Sequence, residues 1–181
     1  MRKINEIFYS LQGEGYHTGT PALFIRFSGC NLKCSFCDTS HEEGVLMTDE
    51  EILQKVRQSP ARLVVLTGGE PSLWIDRAFV DTLHNCGKYV CIETNGTHLL
   101  PDNIDWITCS PKREGKVVLR EADEVKVVYE GQEMGGYRNI RARHYFIQPC
   151  SNSNIDEAVQ YILKNPLWRL SLQTHKLIHI P

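Results

Sequence analysis

The sequence predicts an α/β protein: a single domain, residues 1–181, built as a partial, helix-poor (β/α) barrel of about six strands and three helices. Three observations lead there. Short apolar runs alternate with amphipathic stretches along the chain. Its 181 residues suffice for one domain with a substantial core, whereas a complete (β/α) barrel takes roughly 250. Several apolar runs also end in a polar or glycine-rich cluster, as in folds that bind ligands at the carboxyl ends of parallel strands. A doubly wound sheet is the alternative architecture.

The elements follow in order. Residues 22–28 (ALFIRFS) form a β-rich run that stops at Gly29. Thr48 opens a helix, because Glu51 stands at capping-box spacing and Ile52, Leu53 and Val56 follow at helical intervals before Pro60. Residues 63–66 (LVVL) are apolar throughout, as a parallel strand covered on both faces should be. A second helix is expected over about residues 75–85, stopped by Gly87. Strands are expected at 89–92, 106–109, 124–128 and 145–147, a third helix at 154–164 closed by Pro166, and a last strand at 168–172.

At the carboxyl ends of these strands stand Thr67-Gly68-Gly69-Glu70-Pro71, Glu93-Thr94-Asn95, Ser110-Pro111-Lys112, Gln148-Pro149 and Gln173-Thr174-His175-Lys176. Turns are polar in any protein, which accounts for the Gly, Pro, Asn and Ser. It accounts less well for Glu93, Lys112 and Gln148 all falling at one edge.

A net charge of -2 without any run of Lys or Arg argues against nonspecific binding of nucleic acid. No stretch has the length of a membrane span, and no apolar segment follows Met1-Arg2-Lys3, so neither a membrane nor a secretory signal is expected. Seven cysteines are odd in number and too few for a disulfide scaffold, and a reducing cytoplasm is their expected setting.

Three of the cysteines sit in one short loop, Cys30, Cys34 and Cys37, at C-x3-C-x2-C spacing with no fourth nearby. A closed zinc site takes four ligands, and so does an iron–sulfur cube closed by protein. Three thiolates on a four-iron cluster leave one iron open to bind a small molecule and pass it an electron. Structural thiols, or a noncatalytic zinc-binding module completed by a distant His, are the competing readings. The Gly68-Gly69-Glu70-Pro71 turn favours the cluster: glycines let backbone approach a ligand closely, and carbonyls or a carboxylate can pair with an ammonium. Cys86, Cys91, Cys109 and Cys150 read as small buried hydrophobes.

The cysteine triplet followed by a strand and Gly-Gly-Glu-Pro resembles the radical S-adenosylmethionine (SAM) superfamily. That resemblance implies a 4Fe–4S cluster on Cys30, Cys34 and Cys37, with the amine and carboxylate of SAM on the open iron. Within the superfamily, the segments Ser10-Leu11-Gln12-Gly13-Glu14-Gly15, Gly19-Thr20-Pro21, Phe24-Ile25-Arg26-Phe27, Cys37-Asp38-Thr39 and Leu170-Ser171-Leu172-Gln173-Thr174-His175-Lys176 resemble the 7-carboxy-7-deazaguanine synthase family. These matches span almost the whole chain. They imply contraction of 6-carboxy-5,6,7,8-tetrahydropterin to 7-carboxy-7-deazaguanine with loss of ammonia, in 7-deazapurine (queuosine) biosynthesis. They also imply Mg2+, SAM regenerated at each turnover, hydrogen abstraction from C6 of the pterin, and an electron donor of flavodoxin or ferredoxin type. A helix-poor barrel leaves surface that a homodimer could cover. A radical SAM activating enzyme, which makes a glycyl radical on a partner protein, is the rival, but it calls for neither Gln12-Gly13-Glu14 nor Thr39.

On this resemblance Phe36, Asp38, Gly69, Glu70, Glu93, Ser110, Pro111, Lys112 and Gln148 line the SAM side, and Thr39 is the Mg2+ ligand. Leu11, Gln12, Gly13, Glu14, Arg26, Thr67 and Pro181 face the pterin. The residue chemistry is consistent with these roles. Arg26 shares a strand face with Phe24 and Ser28, and an inward guanidinium needs an anion such as the substrate carboxylate. Gln and Glu side chains can read the donor and acceptor edge of a 2-amino-4-oxo ring. One hydroxyl is a poor Mg2+ site unless substrate oxygens and waters complete the octahedron. Pro181 carries the α-carboxylate and is expected to fold back onto the substrate, while the roles of His175, Lys176 and Cys150 stay open.

Overall fold

Nine strands pair into one curled sheet in the computed structural model, which describes residues 1–35, 37, 43–150 and 153–181. They are β1 (Arg2–Leu11), β2 (Pro21–Phe27), β3 (Val45–Met47), β4 (Leu63–Gly68), β5 (Tyr89–Thr94), β6 (Trp106–Cys109), β7 (Glu121–Tyr129), β8 (Arg141–Pro149) and β9 (Trp168–Leu170). Their spatial order is β3-β1-β2-β4-β5-β6-β7-β8-β9. The pairings from β2 to β9 are all parallel, and β1 runs antiparallel to both its neighbours. In a flat sheet β1 and β9 would lie roughly 34 Å apart. Instead Gly15, just past β1, donates its N–H to Ser171 Oγ, just past β9, at 2.9 Å. The sheet therefore curls until its two ends meet through loops. This is the partial, helix-poor barrel the sequence predicts.

Four helices accompany the strands: α1 (Asp49–Gln58), α2 (Arg77–Asn85), α3 (Ile155–Lys164) and α4 (Thr174–Leu177). The capping box of α1 forms as expected, with Thr48 accepting from Glu51 N–H and Glu51 accepting in return from Thr48 N–H. Helices α1 and α2 bury Ile52, Val56, Phe79 and Leu83 against Ile25, Phe27, Val64, Leu66, Val90 and Ile92 on the outer face of β2, β4 and β5. A second outer cluster packs Ala158 of α3 with Val125, Val127, Ile147 and Trp168. Inside, Phe24, Val65, Cys91 and Trp106 close the lower end of the barrel with an apolar floor.

Two strands, β1 and β3, and one helix, α4, lie beyond the individual elements expected from the sequence. In β1 a bulge between Ile4 and Glu6 shifts the register, so the period-two alternation that marks a strand is broken partway. Strand β3 has three residues, two of them exposed, and α4 is a single turn. None of these carries enough periodicity to be read from sequence. The strands at 124–128 and 145–147 are also longer than expected, and Gln148-Pro149 lies within β8 rather than beyond its end.

Candidate active site

Above the apolar floor the inner face turns polar in one tier. Register places Arg26 of β2 beside Thr67 of β4, Glu93 of β5 beside Thr108 of β6, and Thr108 beside Glu124 of β7. Of these, Arg26, Thr67 and Glu93 border a cavity of about 520 Å3, the size of a small-molecule site. Its lining includes Leu11, Gln12, Gly13, Glu14, Arg26, Thr67, Gly69, Glu93, Ser110, Lys112, Gln148 and Pro181 among the expected residues, together with Cys30, Cys34 and Cys37. His175, Lys176 and Cys150, whose roles the sequence leaves open, line it too. Phe36, Asp38 and Thr39 lie outside the described residues.

One wall is built from the turns after β2, β4 and β5. A side chain on Gly68 would strike Phe27 O, and one on Gly69 would strike Gly29 O, so the two glycines press this turn against the start of the cysteine loop. Hydrogen bonds lock the contact: Gly69 N–H to Phe27 O at 3.0 Å and Glu70 N–H to Gly29 O at 2.9 Å. Glu70 is fully buried and absent from the cavity lining. Its carboxylate accepts from Ser72 N–H at 3.0 Å, Thr94 Oγ at 2.6 Å and Asn95 N–H at 2.7 Å, tying the ends of β4 and β5 together. Asn95 Nδ2 then donates to Asn31 Oδ1 at 3.0 Å, inside the cysteine loop. Glu70 thus stands behind the wall as a brace. Pro111 also lies off the cavity, on a neighbouring cleft.

None of the three loop thiols is in a disulfide, and all open on the cavity. Burial, then the Glu114 carboxylate 3.6 Å away, pushes the Cys34 thiol up to about 11. Burial raises Cys30 as well, with Glu70 and Cys37 adding to it. Such thiols stay protonated until a metal displaces the proton. Three unbridged thiols on one cavity wall, next to backbone exposed by glycine, fit an iron–sulfur cluster with one open iron. Nearby, Lys112 Nζ donates to Ser110 Oγ at 2.6 Å, and burial together with Lys126 lowers the Lys112 pKa.

The opposite wall is assembled from distant segments. The hairpin after β1 folds inward, so that Gln12 Nε2 donates to Glu93 at 3.1 Å and Glu14 pairs with Lys126 of β7. Gln173 donates to the second Glu14 oxygen at 3.0 Å. Thr67 Oγ donates to the other Glu93 oxygen at 2.8 Å. Burial alone would raise the Glu14 carboxyl, but Lys126, Gln173 and His175 outweigh it and leave it below its usual range. Burial likewise opposes the Lys126 charge, and Glu14, Glu93 and Glu124 overcome it and raise its pKa. Glu124 accepts from Tyr16 N–H at 2.9 Å and abuts Gly15, and burial, only partly offset by Lys126, lifts it to about 7. Ser10 Oγ donates to Pro181 O at 2.9 Å, which brings residue 181 back to the barrel mouth. Arg26 Nε donates to Glu6 at 2.7 Å, so a protein carboxylate faces the guanidinium from β1.

Lys126, Glu124 and Glu6 are absent from the sequence-based site. A signal for the first two exists: Glu124 and Lys126 alternate with Val125 and Val127, so the charged pair lies on one face of the strand and the valines on the other.

The comparisons agree with this geometry. A model of the radical SAM superfamily matches residues 24–108, the stretch that carries the cysteine loop and the glycine turn. A 7-carboxy-7-deazaguanine synthase of Bacteroides thetaiotaomicron is 67% identical over 180 residues, covering 99% of each chain. The chain belongs to the 7-carboxy-7-deazaguanine synthase family. A second 7-carboxy-7-deazaguanine synthase, from Burkholderia multivorans, is 38% identical and covers 98% of each chain. The crystal structure of QueE from Escherichia coli superposes with a TM-score of 0.77 at 31% identity, covering 94% of this chain and 93% of that one. Streptococcus suis SuiB, at 15% identity and a TM-score of 0.52, shares the fold alone. Membership in this radical SAM family makes the chain an enzyme that uses a 4Fe–4S cluster and SAM.

Proposed function

We propose that the chain converts 6-carboxy-5,6,7,8-tetrahydropterin to 7-carboxy-7-deazaguanine, with loss of ammonia, and acts as one domain throughout. The observation that carries this reading is that one cavity holds both the three cluster thiols and the Gln12-Gly13-Glu14 segment. A reduced cluster held there would supply the electron that splits SAM into methionine and a 5′-deoxyadenosyl radical. The chain itself contributes orientation and exclusion of water. Cys30, Cys34 and Cys37 hold the cluster, and Gly69 presents backbone to the SAM amine. Ser110, Lys112 and Gln148 complete the SAM side, and Glu93, held by Gln12 and Thr67, stands where the two sides meet. Glu70 acts by holding this wall together rather than by contact.

On the other side Glu14 still has free lone pairs on a carboxylate that takes two partners in the structure, enough for N–H groups of the pterin edge. Arg26 takes the substrate carboxylate in place of, or together with, Glu6. Leu11, Gln12, Gly13, Thr67 and Pro181 line the remaining contacts. Thr39 would hold Mg2+ together with oxygens of the substrate, and the ion would supply positive charge to the substrate carboxylate. A flavodoxin or ferredoxin type protein donates the electron, the working form is a homodimer, and the setting is the cytoplasm. No described helix is long and apolar enough to cross a membrane.

Anaerobic turnover tests the reading. Reconstituted protein with 6-carboxytetrahydropterin, SAM, Mg2+ and a reductant should release 7-carboxy-7-deazaguanine and ammonia in equal amounts. Cleavage of SAM with the pterin left intact would contradict it.

A further inference from the structure

The bulge in β1 decides which of that strand's side chains reach the cavity. Ile4 lies opposite Phe27 and Glu6 opposite Arg26, so β1 advances two residues where β2 advances one, and Asn5 is the extra residue. Ile4 packs into the outer core, as does Ile7 beyond the bulge, whereas Phe8 joins the inner floor. An unbroken alternation from Ile4 would turn Glu6 and Phe8 outward. The extra residue turns both inward, beside Phe24 and Arg26, and all four line the cavity.

There the two β1 side chains hold Arg26. Glu6 Oε1 accepts from Arg26 Nε at 2.7 Å. The guanidinium carbon stands 5.7 Å from the centroid of the Phe8 ring, which stacks on Phe24 at 4.9 Å. A side chain on Gly68 would meet Arg26 Cγ at 2.9 Å, so the stem of the arginine lies close against the glycine turn. Among the described residues, neither terminal nitrogen of Arg26 has an acceptor. Arg2 is the contrast: its Nε and Nη2 both donate to Asp49, and its Nη1 donates to Trp74 O.

A pair that served only to fasten β1 to β2 would gain from the two-point geometry that Arg2 and Asp49 use. The one-point contact at Nε does something else: it fixes the plane of the guanidinium and leaves Nη1 and Nη2 as a fork. We infer that Glu6 is a positioning residue, which sets Arg26 in advance for a ligand carboxylate and so favours a carboxylated ring over one without that group. The inference rests on the proposed reading, in which Arg26 takes the substrate carboxylate. Glu6 acts through Arg26 and does not itself touch the ligand. Its own negative charge opposes an incoming carboxylate, so positioning and repulsion move affinity in opposite directions when Glu6 is removed.

The test is calorimetry on the reconstituted holoenzyme with SAM and Mg2+ present. The two probes are 6-carboxypterin and pterin, which lacks the carboxylate. Glu6→Ala should weaken 6-carboxypterin by about tenfold, the cost of ordering a loosened arginine on binding. Pterin and SAM should stay within about twofold of the parent, because neither uses the fork. Glu6→Gln keeps an oxygen that can accept from Nε, and should hold 6-carboxypterin within about threefold of the parent. Unchanged or tighter 6-carboxypterin binding in the Ala variant would overturn the proposal, since Glu6 would then only oppose the ligand. So would equal weakening of both probes, which would make Glu6 a support of β1 as a whole. A parent with no preference for 6-carboxypterin over pterin would instead refute the reading of Arg26, a result distinct from either.

Discussion

The two walls of the cavity are made in opposite ways. The wall proposed for the cofactor comes from turns that follow β2, β4 and β5, each directly after its strand and held by backbone hydrogen bonds and one buried carboxylate. The wall proposed for the substrate comes from residues far apart in the chain: Glu14 meets Lys126 across 112 positions and Gln173 across 159, and Ser10 meets Pro181 across 171. At its centre charged groups, Glu14, Glu93, Glu124 and Lys126, lie close together. The first wall depends on the shape of turns, the second on a balance of charge.

The largest effect expected is on the first wall. Cys34→Ala should abolish cluster iron and the visible spectrum altogether, whereas Cys91→Ala, a buried thiol on the inner floor, should keep both. Iron retained in the Cys34 variant would break the ligand assignment. Next comes the charge balance of the second wall. Lys126→Met leaves Glu14, Glu93 and Glu124 facing each other without a counter-charge, and should destabilise the fold by about 3–5 kcal/mol in urea unfolding at neutral pH. A loss below about 1 kcal/mol would show that the network is solvated rather than balanced.

A smaller effect follows from Glu124. Its folded pKa of about 7 lies above the ordinary value of 4.5, so the folded protein binds this proton more tightly than the unfolded chain does. Stability from this group is complete below about pH 4.5 and is lost as pH rises through 7. Glu124→Gln should remove that falling limb, worth on the order of 2–3 kcal/mol, and so be more stable than the parent at pH 8. Parallel stability curves for parent and variant over this window would contradict the assigned cause.

This contrast also explains what the sequence made legible. The cysteine spacing, the Gly68-Gly69 turn and the Thr48 capping box are short-range patterns whose meaning survives without the fold. The outer apolar faces of β4 and β5 are legible for the same reason. The Gly-Gly-Glu-Pro motif is local and brings Glu70 to the SAM side by resemblance, but its burial and its bonds to Thr94 and Asn95 depend on where β5 ends relative to β4. Lys126 and Glu124 belong to a strand whose pattern is readable, yet their partners are fixed only when the hairpin after β1 swings across the barrel. Glu6 faces Arg26 through an antiparallel pairing and a bulge that no local pattern announces.

The division into two walls is tested most directly by removing residues 178–181, the segment that returns to Ser10 at the barrel mouth. Calorimetry on the reconstituted holoprotein should then show SAM affinity within about threefold of the parent, and affinity for the pterin weakened by about tenfold or more. Equal losses for both ligands, or none for the pterin, would contradict the account.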